Sequence, residues 1–443
     1  MTVVSAPPGS APPAVIDRLS QPVAASERLF LLDALRGFAL LGILLVNMTG
    51  FMGPIAHVVP GLRPETGWTA LDHAAQFWVE AFASTKFYNL FAFLFGVGFA
   101  LQMIRAEQRG ADVNRLFVRR FAALLLIGLG HAFLIWSGDV LVTYALTGFV
   151  LLLCRRASLK VTLIVAGVLL GTTALSGLIG VAVFEAIGLL PNGRRTLIGI
   201  DAEVGRIVAI FGEQSVRAYG ATGGIGDVFR QRAIESALGV LNAISLGPLI
   251  LCMFLIGLQA GRFGVPLHVE HFRPLLRRII WWGVLVGVPA NLFYAWAATR
   301  LNVLSSLCAL AFVMGFAGPL LALTYAAALT LLLLDRPGVR RLFTPFAAAG
   351  RMALSNYLLQ SIVCTTLAYN YGFGWFGKVR PFEGVLIAFA IYALQLPLSV
   401  LWLRRFQFGP AEWLWRALTY NKRPPLRRRP PTVLVSAGGG NNC

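Results

Sequence analysis

An all-α, polytopic transmembrane bundle is the fold class that this 443-residue sequence predicts. Three observations carry the prediction. Hydrophobic residues make up 57% of the chain and charged residues only 13%, against about 25% charged in an ordinary soluble domain. Apolar runs of about 20 residues recur from end to end, each sufficient to cross about 30 Å of hydrocarbon. Lys and Arg gather in the short loops between these runs, where they orient a chain in the membrane.

About ten spans are expected, beginning near Gly37, Phe87, Phe121, Asp139, Val161, Ser236, Ile279, Val303, Ala347 and Gly384. Arg105, Arg109, Arg115, Arg119 and Arg120 crowd the second loop, and Arg155, Arg156 and Lys160 the fourth. Arg262, Arg273, Arg277 and Arg278 fill the sixth, and Arg336, Arg340 and Arg341 the eighth. Even-numbered loops are therefore expected on the cytoplasmic side, with both termini inside. The eighth span is overlong and carries Gly315, Gly318 and Pro319 in its middle, so a kink is expected there.

Three regions are expected along the chain. Residues 1–28 are Pro/Ala/Ser-rich and read as a disordered leader without a convincing cleavable signal, and 29–420 as one transmembrane domain. Residues 421–443 form a basic, Pro-rich disordered tail suited to anionic lipid headgroups. Within the domain, about 190–235 is a long segment expected outside, with amphipathic helical pieces around a glycine-rich turn. That turn, GATGGIG, lacks the following Lys-Ser/Thr of a phosphate-binding loop and is read as a flexible turn. GPAEWLWRALTY, residues 409–420, fits an interfacial helix.

The net charge of +19 is absorbed by topology signals, so no nucleic-acid partner is expected. Cys154, Cys252, Cys308, Cys364 and Cys443 form no CxxC pair, which argues against a disulfide framework or zinc site. His268 and His271 are spaced i,i+3 beside Pro266 and several arginines; a cytoplasmic loop is the favoured reading, and no metal is expected.

Polar groups in apolar helices are costly and commonly mark function. Arg36 stands at the inner mouth of the first span, and ten residues separate it from Asn47 deeper in the same helix. His131 and Asp139 flank an outer turn in HAFLIWSGD. An imidazole oriented by a carboxylate can act as a general base, or the same pair can simply staple the turn; both readings stay open. His57 lies in a loop, where a solvated role is favoured, and His73 reads as interfacial. Lys86 opens the second span, where it either snorkels or meets an anionic substrate group. Asn356 and Gln360 share a helix face, and helix-to-helix hydrogen bonding is preferred for them over substrate binding. Arg351, one turn earlier, either serves packing or holds a phosphate with its fork of donors.

LDALRGFALLGILLVN, KFYNLFAFLFGVGFALQ, GLGHAFLIWSGDVLVTYALTG, GRMALSNYLLQS and FGPAEWLWRALTY resemble the YeiB-like family of bacterial inner-membrane proteins, from about Leu29 to Tyr420. The first block also resembles a broader group of transmembrane acyltransferases, which includes the bacterial O-acyltransferases and the lysosomal heparan glucosaminide N-acetyltransferase. Such enzymes take an acyl group from cytoplasmic acyl-CoA and deliver it across the membrane. The O-acyltransferase branch has a catalytic His after the Arg and ten intervening residues; here Asn47 occupies that position, and Asn is no base near neutral pH. The lysosomal branch also has Asn there, with a functional His about a dozen residues further on. His57 is ten residues beyond Asn47, although the intervening residues match poorly.

The resemblance implies an inner-membrane acyltransferase with acyl-CoA as co-substrate, Arg36 and Arg351 on its phosphates, and His131 with Asp139, or His57, as base. Asn47 would hydrogen-bond the developing oxyanion, and Lys86, Asn356 and Gln360 would meet substrate. The expected partners are membrane lipids and a cell-envelope acceptor, and a homo-oligomer is compatible. The rival readings are a transporter or exporter built on the same buried polar path, and a non-catalytic scaffold.

Overall fold

A computed structural model describes residues 25–54, 57, 59–62 and 67–427 as an almost wholly helical chain. Most of the expected leader, and residues 428–443 of the tail, lie outside these described residues.

Helix α1 (Ala25–Met52) enters first and is followed by α2 (Ala70–Phe82) and α3 (Lys86–Gln108). Next come α4 (Val113–Leu134), the short α5 (Leu141–Leu153), α6 (Leu159–Gly188), α7 (Gly193–Tyr219) and the long α8 (Ile225–Arg262). Helices α9 (Val269–Trp282) and α10 (Val288–Arg300) join through a π-turn at Gly283–Gly287, and α11 (Val303–Phe312) and α12 (Gly318–Asp335) through another at Val313–Ala317. The chain closes with α13 (Pro337–Leu342), α14 (Thr344–Arg351), α15 (Ala353–Ala368), α16 (Pro381–Arg405) and α17 (Pro410–Tyr420).

Seven helical segments among the described residues are long and apolar enough to cross a membrane. They are Phe30–Met52, Ala70–Gln108, Val113–Leu134, Leu159–Gly188, Val269–Arg300, Val303–Asp335 and Pro381–Arg405. The expected spans near Asp139 and Ala347 correspond to shorter apolar pieces: helix α5 has 13 residues and α15 has 16, each below the roughly 20 residues needed for a full crossing. The expected span near Ser236 falls within the continuous 38-residue helix α8.

The expected break in the eighth span is the π-turn Val313–Ala317, directly ahead of Gly318–Pro319. Proline has no N–H and cannot complete the ladder behind it, and a wider turn absorbs the mismatch. The same device recurs at Gly283–Gly287 ahead of Pro289, where composition alone marked no break. The expected outer segment folds as α7, a Gly-rich turn, and the start of α8. The tail, expected to be disordered from 421, is ordered as far as 427: Leu426 O accepts from Gln407 N at 2.8 Å, and Pro424 O from Trp413 Nε1 at 2.7 Å.

Two close helix crossings build the centre. A methyl group on Gly96 would lie 2.1 Å from Phe254 O, and one on Gly257 would lie 2.1 Å from Phe93 O, so α3 and α8 touch backbone to backbone. In α1 and α14, Gly37 would meet Phe346 O at 2.0 Å and Gly350 would meet Asp33 O at 1.9 Å. Membrane helices associate through such small-residue contacts because lipid supplies no hydrophobic drive between them. The α1–α14 crossing brings Arg36 and Arg351 to one end of the bundle. Around the α3–α8 crossing, Phe95 stacks on Phe254 at 4.6 Å, and Phe99 lies 4.4 Å from Phe117 between ring centroids.

Candidate functional site

A cavity of about 480 Å³ runs between α1, α3, α4, α5, α15 and α17. One end is cationic, the middle is aromatic, and the other end reaches the α4–α5 turn.

Arg36, Arg120, Arg351 and Arg416 line the cationic end together with Gln102. Arg36 pairs with Asp33 at 3.1 Å. The guanidinium of Arg120 lies 3.9 Å over the Trp415 ring, and Trp415 Nε1 donates to Arg120 O at 2.8 Å. Those contacts seat α17 against α4. Glu412 fixes the same helix to α15 by accepting from Leu354 N, Ser355 N and Ser355 Oγ at 2.7, 3.1 and 2.5 Å. Burial pushes the Glu412 carboxyl up from its ordinary value, and the hydrogen bonds from Ser355 and Leu354 pull it partly back. Among the described residues, these four cations face one space with a single direct carboxylate partner, Asp33, an arrangement that favours a multiply charged anion.

The middle is walled by Phe87, Phe91, Phe95, Phe99, Phe121 and Tyr144. Eleven positions separate Arg36 from Asn47 along α1, which at 1.5 Å per residue is about 16 Å. Arg120 and His131 stand the same eleven positions apart on α4. Two helices that line the cavity thus repeat one spacing between its cationic end and a polar group three turns away.

At the far end, His131 Nδ1 and Asp139 Oδ1 are 2.8 Å apart, with side chains 1% and 2% exposed. Asp139 Oδ2 accepts from Val142 N at 2.7 Å, satisfying an open donor in the first turn of α5. With Asp139 ionised, Nδ1 carries the proton and Nε2 carries the lone pair. Nε2 is buried without a hydrogen-bond partner. Asp139 lines the cavity, whereas His131 stands just behind the wall. Tyr357 of α15 stands in that wall, with its ring 5.1 Å from the imidazole.

The turn carrying Asp139 is held from α8. Ser137 Oγ donates to Glu235 Oε2 at 2.8 Å, and Glu235 also accepts from Ser215, Tyr219 and Gln231. Ser236 Oγ donates to Ala132 O at 2.8 Å, and the buried Arg232 donates to Leu134 O. These donors satisfy carbonyls at the C-terminal end of α4, so the start of α8 clamps the helix end that bears His131.

Of the residues singled out in the sequence, the structure gathers Arg36, Arg351, Asn47 and Asp139 on one cavity, with His131 hydrogen-bonded behind. It separates the others. His57 borders a different hollow of about 40 Å³ beside Trp68 and Glu80. Lys86 is fully buried and donates to Glu80 O at 2.6 Å. Its four-carbon stem is spent reaching Glu80, so the substrate contact expected of it is corrected to a buried tether between α2 and α3. Asn356 donates to Ala349 O and Ser399 Oγ, and Gln360 to Gln395 Oε1. Their amides are used between α15 and neighbouring elements, so the preferred hydrogen-bonding role accounts for them and the substrate expectation does not. His73, His268 and His271 are exposed, and no cluster able to hold a metal is found among the described residues.

Arg120, Arg416 and Tyr357 were not singled out. Arg120 and Arg416 were absorbed into loop charge and an interfacial helix, and Tyr357 hid between Asn356 and Gln360. One signal was available: the spacing from Arg120 to His131 repeats that from Arg36 to Asn47.

Comparison with known proteins adds family without chemistry. The model of DUF418, described as a protein of unknown function, matches residues 260–422. The chain is 36% identical over 423 residues to YxaH of Bacillus subtilis, covering 92% of this chain and 98% of that protein. It is 32% identical over 421 residues to YeiB of Escherichia coli, covering 90% and 98%. With near-full-length similarity to bacterial relatives and several membrane-crossing helices, the chain is a multi-pass membrane protein that belongs to the DUF418 family.

Proposed function

We propose that this protein is an acyltransferase of the bacterial inner membrane, moving an acyl group from cytoplasmic acyl-CoA to an acceptor on the outer side. One observation carries the reading: a single cavity joins four arginines at one end to Asn47 and the Asp139–His131 pair at the other. The loop charges support an orientation with the arginine end and both termini inside, and a count of about ten spans if the shorter apolar helices also cross.

In this reading Arg36 and Arg351 hold the phosphates of acyl-CoA, and the thin pantetheine arm lies along the aromatic wall. A helical depth of about 16 Å suits that extended arm better than the bulky nucleotide, which stays at the mouth. His131, held by Asp139 just behind the cavity wall, is the base that finally receives the proton of an acceptor hydroxyl or amine. Asn47 supplies a hydrogen bond to the oxygen on which charge develops. The acceptor is a cell-envelope molecule reaching the site from the lipid or the outer surface.

The test is transfer from radiolabelled acyl-CoA by purified protein in vesicles of its native lipids. Label in an envelope acceptor, lost in His131→Ala, supports the reading. No transfer by the wild type sinks it. A cavity of this shape also suits passage of a small or lipid-like substrate; uptake driven by a proton gradient, with no new covalent bond, would establish the transporter reading instead.

A further inference from the structure

His131 has the chemistry of a base but does not reach the cavity wall. Its Nδ1–H is committed to Asp139, and its Nε2 lone pair is buried without a partner. Buried polar groups are nearly always satisfied, and an unsatisfied one calls for an explanation such as a ligand or a catalytic role.

A second such group stands between His131 and the cavity. Tyr357 is 5% exposed, lines the cavity and has its ring 5.1 Å from that of His131. Its hydroxyl also has no hydrogen-bond partner of ordinary geometry. The Val140 backbone N–H approaches the phenol oxygen, but an N–H can only donate. The phenol's own proton is therefore unspent. An unused acceptor and an unused donor, both buried and not hydrogen-bonded to each other in this structure, belong to rings in contact beside the cavity.

We infer that Tyr357 is a catalytic residue, relaying a proton between the bound acceptor and His131. The inference rests on the acyl-transfer reading. The acceptor O–H gives its proton to Tyr357 Oη while the phenol proton passes to His131 Nε2, and Asp139 stabilises the imidazolium. The acceptor oxygen bonds to the thioester carbonyl carbon, and the carbon–sulfur bond breaks. The departing sulfur takes the proton back from His131 through Tyr357. The products are the acyl ester and free CoA thiol, with every proton and electron pair accounted for.

The surroundings suit a fixed relay. Asn356 and Gln360 lock the helix on either side of Tyr357 through Ser399 and Gln395, so the ring is positioned by amides that never meet substrate. This gives the buried amides of α15 a role in the site without any contact to it.

Tyr357→Phe keeps the ring and removes only the hydroxyl. The assay compares wild type, Tyr357→Phe and His131→Ala for transfer from radiolabelled acetyl-CoA in native-lipid vesicles. Thermal stability and the thermal shift produced by CoA are measured on the same preparations. The expected result is a fall in kcat of about 100-fold or more, the ordinary range of general acid–base catalysis, with KM for acetyl-CoA, stability and CoA shift all unchanged. A merely structural Tyr357 would instead lower stability or leave kcat intact. Transfer by Tyr357→Phe at the wild-type rate, beside an inactive His131→Ala, overturns the relay and leaves the acyl-transfer reading standing. No transfer by the wild type overturns both.

Discussion

Asp139→Asn tests the dyad with a change of one atom. In the native protein both carboxylate oxygens are used, Oδ1 by His131 Nδ1 at 2.8 Å and Oδ2 by Val142 N at 2.7 Å. An amide has one acceptor oxygen and one NH₂, so it cannot serve both donors. Two outcomes are open to the fold. If the imidazole keeps its tautomer, a buried N–H faces an NH₂ and stability falls by about 1–3 kcal/mol, the cost of an unsatisfied buried donor. If the ring changes tautomer, Nδ1 accepts from the new NH₂ and Oδ1 of the amide still serves Val142. Stability is then largely kept, but the proton moves to Nε2 and the base is gone. Because Nε2 has no partner to oppose this change, the tautomer swap is the expected outcome. The same Asp-to-Asn change in a Ser-His-Asp triad costs about 10⁴ in kcat through the wrong tautomer. A loss of about 10³–10⁴-fold, or about 4–5 kcal/mol in the barrier, is expected in acyl transfer here, with thermal unfolding near wild type. The assay is single-turnover transfer in vesicles, paired with thermal unfolding of the same sample. A folded Asp139→Asn protein that turns over at the wild-type rate would refute the assignment of His131 as base.

Arg351→Gln and Arg36→Gln should each weaken CoA binding about tenfold, about 1.4 kcal/mol, with a larger loss at low salt, as read by titration with CoA. Gly37→Ala places a methyl group 2.0 Å from Phe346 O; α1 and α14 must separate, costing about 1–3 kcal/mol and weakening CoA binding although residue 37 touches no ligand. Lys86→Met removes the donor to the Glu80 carbonyl and should destabilise by about 1–3 kcal/mol, with no effect on KM in the fraction that folds; a changed KM at normal stability would return Lys86 to the substrate site. The folded Glu412 carboxyl is held above its ordinary value of 4.5, chiefly by burial. The native state therefore binds that proton more tightly than the unfolded chain, and the seating of α17 should be strongest below pH 4.5 and weaken as pH rises through the raised value. Fluorescence of Trp413 and Trp415 reports it, and Glu412→Gln should abolish the dependence.

The membrane class, the principal spans and the α11–α12 break were legible because they follow from composition and local covalent chemistry. An apolar run of sufficient length will seek lipid, and Gly-Pro will interrupt a helix, whatever the rest of the chain does. Arg36 and Asn47 were legible as a pair because a single helix fixes the distance between them. His131 and Asp139 were legible as neighbours because only a short turn separates them. Their choice between base and staple was not, since it depends on a cavity formed by other helices.

What only the tertiary structure decided is which polar groups share a space. Lys86 and Tyr357 are both buried, yet one donates to the Glu80 carbonyl and the other lines the cavity with its hydroxyl buried and unpartnered. Arg120 and Arg416 lie 296 positions apart and looked like loop and interface charges, until packing of α17 on α4 brought both to the mouth beside Arg36. The reason is physical. Hydropathy and charge report a residue's preference for lipid or water, which is a property of that residue and its near neighbours along the chain. Whether a buried donor is satisfied depends on groups brought near by helix packing, and here that packing rests on backbone contacts at Gly37, Gly96, Gly257 and Gly350.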